Sequence, residues 1–174
     1  LVALARRRGF PAHAATVLDF GTAQGRDAIH TLFASVLAIA PEGTDAERRA
    51  GLALALADGR VTADDEPFAA DLLAVAQRAP ATYEAMDDAA RRDGRLRALA
   101  HAVAHEAAAR PLVLLVEDVH WATPWVLEKL RALADAARRA RLLLVCTSRR
   151  EGDPFGAAPL DVAVERWDVP PLAA

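Results

Sequence analysis

At 174 residues the chain has the length of one domain, and its 53% hydrophobic content is ample for a core. A formal net charge of −3 gives no basic footprint for nucleic acid, a single cysteine excludes an internal disulfide framework, and no Cys/His group has zinc spacing. No apolar stretch approaches the roughly 20 residues that span a bilayer, and the arginine-broken start lacks a signal-peptide pattern, so a cytoplasmic domain without membrane contact is expected.

Residues 1–10 read as the end of a helix, with Arg6, Arg7 and Arg8 in the last turn and Gly9 as its C-cap. Residues 14–20 read as a strand, and Gly21 starts the turn out of it. Residues 26–39 carry Ile29, Leu32, Phe33, Val36 and Leu37 on one helical face, which Pro41-Glu42-Gly43 ends. Two further helical patterns, 46–56 and 68–78, are separated by Asp58-Gly59 and by the acidic turn Asp64-Asp65-Glu66-Pro67, and Pro80 breaks the second. Residues 93–109 bring Leu96, Leu99, Ala100 and Val103 to one side, as a helix packed on a sheet should.

The run 111–121 is more informative. It is apolar from Pro111 to Val116 and ends in the adjacent carboxylates Glu117 and Asp118. So short an apolar run reads as a strand buried on both faces of a parallel sheet, and in such sheets ligands bind outside the carboxyl ends of the strands. The run 141–150 repeats the grammar, with Leu142 to Cys146 leading into Thr147, Ser148, Arg149 and Arg150. Between the two, Thr123 can cap a helix whose first position suits Pro124, with Val126, Leu127, Leu130, Leu133 and Ala137 on one face. Strand, helix, strand is a βαβ unit, whose crossover is nearly always right-handed.

At these residues the chain resembles a family. The string LLVEDVHWATPWVLEKL, followed by LLLVCTSR, is similar to the second half of the nucleotide-binding core of STAND-type P-loop ATPases. These are the AAA-like modules fused to bacterial LuxR-type regulators, class III nucleotidyl cyclases and some protein kinases. The resemblance makes Glu117-Asp118 the Walker B pair, Glu117 helping to hold Mg²⁺ and Asp118, also on the metal, positioning or activating the attacking water. His120 and Trp121 match a signature of this branch. Thr147, Ser148 and Arg149 occupy the place of the polar segment that reads the γ-phosphate of ATP. Many relatives have Asp at Thr123, and many P-loop enzymes have Asp at Glu117, although a longer carboxylate still reaches a water on Mg²⁺.

Nowhere does the chain contain G-x-x-x-x-G-K-[ST], the loop that cradles phosphates, and its one lysine, Lys129, falls inside a helix. By the resemblance, residues 1–174 are a partial α/β P-loop NTPase domain that starts just after Walker A, ends before the helical lid, and holds a helical insertion at 41–92 before Walker B. The family strand order is 2-3-1-4-5. The chain would supply strands 2, 3, 4 and 5, the last over 161–168, without the central strand 1. Strands 3 and 4 then either pair directly or leave a seam of buried unpaired backbone groups, each costing about 1–3 kcal/mol, and a marginal fold is expected.

The implied function is an ATP- and Mg²⁺-dependent signalling switch inside a larger bacterial regulator. Its partners would be nucleotide, an output domain of the same polypeptide and an ATP-dependent oligomer, with no nucleic-acid contact by this segment. The alternative is a non-catalytic helical scaffold for protein interaction. Other candidates are weaker. His101 and His105 have metal-friendly spacing but only Glu106 nearby, so a plain helix face is the better reading. Arg91, Arg92, Arg95 and Arg97 are flanked by Asp87, Asp88 and Asp93 and read as a salt-bridged surface. Cys146 reads as a buried, inert thiol, and Trp121 as packed beneath the Walker B turn in preference to touching a partner domain.

Overall fold

The apolar run Leu112 to Val116 makes β2 (Leu112–Glu117) the middle strand of a three-stranded parallel sheet, in a computed structural model that describes residues 1–18, 28–157, 160 and 162–170. It is flanked by β1 (Ala12–Thr16) and β3 (Leu142–Cys146), with Ala14 opposite Leu115 and Leu115 opposite Val145. The architecture is therefore mixed α/β, and β2 and β3 pair directly instead of leaving an unpaired seam.

Helices α2 (Ala28–Val36), α6 (Asp88–Ala109) and α7 (Pro124–Ala137) share one apolar cluster with one face of the sheet, in which Ile29, Phe33, Leu99, Val103, Leu130 and Leu133 meet Leu112, Leu114 and Val116. The other face carries α1 (Val2–Arg7), whose Val2 and Ala5 pack on Ala12 and Val113. As the sequence suggests, α1 ends through Gly9, at φ +80°, with the Gly9 N–H on Arg6 O and the Phe10 N–H on Ala5 O, both at 3.0 Å. Thr123 caps α7 by accepting the Val126 N–H at 3.4 Å, with Pro124 in the first turn.

Four expectations are corrected. The strand β3 is not buried on both faces: Leu143 is 55% exposed, because no helix of the described residues stands over it. Residues 162–170 form no strand, and Trp167 there is 79% exposed. Of the four expected strands, the described residues thus hold three. The helix expected over 68–78 is α4 (Glu66–Leu72), closed by Ala74 at φ 51°; beyond it Pro80 opens a short helix α5 (Pro80–Glu84) rather than ending one. The helix expected from residue 93 starts at Asp88, because the Asp87 carboxylate accepts the Ala90 N–H at 2.7 Å and caps it five residues earlier. Ahead of these, α3 (Asp45–Ala57) begins in a capping box between Thr44 and Glu47. Asp19, Phe20, Gly21, Arg26, Asp161 and the residues after 170, on which parts of the expected elements fall, lie outside the described residues.

Two contacts within this layer were not foreshadowed. The Phe68 ring of α4 lies on Gly94 of α6, where an added Cβ would overlap it. On β1, His13 joins Ser35 of α2 through Nδ1 at 2.7 Å and Glu106 of α6 through Nε2 at 3.0 Å. A Ser-His-Glu chain invites a catalytic reading. Both Ser35 and Glu106, however, stand near helix C-termini, whose partial negative charge opposes a developing oxyanion. The chain is a polar tie between sheet and helices.

Candidate functional site

Side chains alternate along β2, so Glu117, its last residue, falls on the same face as Val113 and Leu115 and is exposed. Asp118 follows with φ 60° and ψ 39°, a left-handed conformation that aspartate tolerates better than most residues and that turns the chain sharply out of the strand. A 3₁₀ turn at Val119–Trp121 leads on to α7. The turn is held from the neighbouring strand. The Thr147 N–H donates to Val116 O at 3.0 Å, the Val119 N–H to Thr147 O at 2.9 Å, and the Asp118 N–H to Thr147 Oγ1 at 3.1 Å.

Direct pairing of β2 with β3 therefore brings together the residues read from the sequence as one site: Glu117 and Asp118 on one strand end, Thr147, Ser148 and Arg149 on the next. Thr147 braces the turn, and the Ser148 hydroxyl donates to Arg149 O at 2.9 Å. Arg149 is exposed, and its guanidinium carbon lies 5.9 Å from the Trp121 ring centroid. Trp121 stacks in turn on His120, with centroids 4.9 Å apart. The expectation that Trp121 packs beneath the turn is corrected: it is 41% exposed, on the outer side of that stack. His120 is the inner member, its side chain 5% exposed, with Nδ1 at 3.9 Å from Asp118 Oδ1 and at 3.5 Å from the Arg149 N–H. Its Nε2 is buried without a hydrogen-bond partner among the described residues. The sequence named His120 and Trp121 together and Arg149 apart from them. Arg149 lies 28 positions from Trp121, and only strand pairing stacks them.

Glu117 and Asp118 are the oxygen donors here, and the described residues hold no group of three or more His, Cys, Asp or Glu able to cage a metal ion. Two carboxylates suit Mg²⁺ held jointly with substrate phosphates and water, and do not suit an all-protein cage. Lys129 is far removed in character: fully buried on α7, it donates to Glu128 at 2.6 Å and lies 4.3 Å from the Trp125 ring centroid. Burial lowers its pKa below 10.5, partly opposed by Glu128. For Glu128 itself, burial acts upward and is outweighed by the bonds from Lys129 and Arg92, so its carboxyl titrates below 4.5.

Elsewhere, Cys146, read from the sequence as buried, is half-buried, and its thiol is pushed up to about 12, first by burial and then by Asp153. His101 Nε2–H donates to Gly59 O at 3.2 Å, and its ring sits 6.4 Å from the His105 ring, with no third ligand among the described residues. The arginine cluster is salt-bridged as expected, though mostly to distant partners: Arg91 to Asp88, Arg92 to Glu128, Arg95 to Asp71 and Arg97 to Asp65. A cavity of about 230 Å³ among Leu52, Leu56, Val75, Tyr83 and Met86 belongs to the helical layer. No helix of the described residues is long and apolar enough to cross a membrane. No family model matches the chain, and neither does a curated protein or a solved structure.

Proposed function

We propose that the chain is the Walker B and sensor half of an ATP-binding, ATP-hydrolysing switch within a larger bacterial regulator of the cytoplasm, akin to STAND-type P-loop ATPases. One observation carries the reading. The acidic pair Glu117-Asp118 and the polar trio Thr147-Ser148-Arg149 leave the carboxyl ends of two adjacent parallel strands, where α/β sheets bind ligands. In this reading Glu117 and Asp118 hold Mg²⁺ with the nucleotide phosphates, Asp118 also orients the attacking water, and Arg149 leaves the Trp121 stack to meet the γ-phosphate. Bound ATP would then order the site and pass its state to an output domain, with hydrolysis resetting it.

In the family order a further strand stands between the counterparts of β2 and β3. The reading therefore requires these two strands to part when the phosphate cradle is supplied. The test is calorimetric titration of Mg²⁺-ATP into this chain and into a version extended upstream of Leu1, with Asp118→Asn as the turnover control. Binding by the extended protein is expected, with hydrolysis reduced about 100-fold in Asp118→Asn. An extended protein that binds no nucleotide overturns the reading and favours the scaffold.

A further inference from the structure

The helical layer is not packed throughout. Between α3, the end of α4 and α5 lies the cavity of about 230 Å³, walled by Leu52, Leu56, Val75, Tyr83 and Met86. Protein interiors rarely leave voids larger than a water molecule, and an engineered apolar cavity of about 150 Å³ already takes up benzene. The path of the chain creates the space. Ala74, at φ 51°, ends α4, and residues 75–79 cross to α5 without helix or strand. The Val75 N–H donates to Ala70 O at 2.9 Å, the Gln77 amide to Pro67 O at 2.9 Å, and Arg49 Nη1 to Ala76 O at 3.3 Å. The crossing is thus fixed by hydrogen bonds, while Ala53, Ala70, Ala76 and Ala79 in the wall are too short to fill what it encloses. Above it, Tyr83 is the residue of α5 that is buried. Its hydroxyl donates to Asp71 at 2.7 Å, which also accepts from Arg95 of α6 at 2.8 Å, so this side chain pins the roof of the cavity.

Charge marks the mouth. Arg49 and Arg78 line the cavity against Glu66. The Arg78 side chain is 82% exposed and meets Glu66 at 3.4 Å, while Arg49 is half-exposed and holds Asp45 at 2.8 Å. A guanidinium carries five donors, and most of them on these two arginines are left for another acceptor.

We propose that this cavity binds a small amphipathic carboxylate, its apolar body of about eight carbons among Leu52, Leu56, Val75 and Met86 and its head on Arg49 and Arg78. A carboxylate matches the guanidinium fork, whereas an amine would meet two like charges and an alcohol would leave both forks without an anion. The walls come from α3 to α5 and the segment between, none from the sheet. The site therefore stands whether or not β2 and β3 part, and whether or not the chain takes nucleotide.

Met86 and Tyr83 are the chain's single methionine and single tyrosine, so the Met86 methyl group gives one reporter inside the cavity. The experiment titrates octanoate, 1-octanol, octylammonium and acetate into the full chain carrying carbon-13 methyl methionine, followed by NMR. Octanoate is expected to shift the Met86 resonance with a Kd of about 1 mM or tighter, and acetate to leave it in place. Octanol and octylammonium are each expected to bind at least about fivefold more weakly than octanoate. Arg78→Glu should weaken octanoate about fivefold and leave octanol unchanged. Ala53→Phe fills the space from an exposed helical position and should abolish the Met86 shift, with thermal unfolding showing that the fold survives. If that variant does not fold, Arg78→Glu decides, since its side chain lies in solvent. A Met86 resonance that stays in place up to about 10 mM octanoate overturns the proposal. So does equal affinity for octanol or octylammonium, which removes the carboxylate from the recognition, or octanoate binding that survives in folded Ala53→Phe, which moves it out of the cavity.

Discussion

Where α4 meets α6, the Phe68 ring rests on Gly94 with no space for a methyl group, while at the strand ends Glu117, Asp118, Ser148 and Arg149 reach into solvent from backbone hydrogen-bonded turns. The first region derives its order from shape, and a change of one carbon is felt there because interiors are close-packed. The second derives its order from main-chain bonds between Val116, Val119 and Thr147, which leave the side chains free for other work. Substitutions should therefore act oppositely in the two regions: on stability in the first, on ligand chemistry in the second.

The largest effect is expected at Gly94. Replacing it with alanine in an exposed helix interior would gain about 1 kcal/mol, yet here the added methyl group meets Phe68. Gly94→Ala should lower stability by about 2 kcal/mol, seen as a drop in the urea midpoint with unchanged slope. Phe68→Leu in the same chain should recover part of that loss. An increase in stability for Gly94→Ala would show that α4 stands off α6 and that the close approach is absent.

A smaller effect is expected at Lys129, whose charge lies fully inside the packed layer. Because burial lowers its pKa below 10.5, the folded chain releases this proton before the unfolded chain does. The unfolded state then binds more protons just below pH 10.5, and stability rises with pH through that window. Lys129→Met should flatten the rise. At pH 7, relief from burying the charge and loss of the contact with Trp125 should offset each other to within about 1 kcal/mol. Glu128 keeps Arg92 as a partner, so the substitution strands no anion. A rise of the same steepness in Lys129→Met would assign the alkaline dependence to another group.

The strand runs of β2 and β3, the Thr123 cap and the acids at the end of β2 were legible because each depends on neighbours in sequence: an apolar run, a hydroxyl three residues before an N–H, a turn after a strand. What distant packing decides was not legible. Leu143 looks as buried as Leu114 in the sequence, and only the placement of the helices leaves it bare. Arg97 stands near Asp93 in sequence but bonds to Asp65, and Gly94 gave no hint of a ring above it. At the candidate site the groups were legible and their support was not: Thr147, read as a phosphate sensor, proves to be the side chain that receives the Asp118 N–H.

That support makes the smallest effect the sharpest test of the comparison. Asparagine matches aspartate in size and tolerates the left-handed backbone that Asp118 adopts at φ 60°. The bond that fixes residue 118 to Thr147 is made by its backbone N–H, which the substitution leaves in place. Asp118→Asn should therefore change stability by less than about 0.5 kcal/mol, as expected for an exposed position free of a structural role. Asp118→Val keeps the same N–H but forces a β-branched residue into that conformation, and should cost about 1–2 kcal/mol. If denaturation shows Asn to be as costly as Val, the carboxylate itself holds the turn, and the division between a shape-built layer and a backbone-built site fails at its central residue.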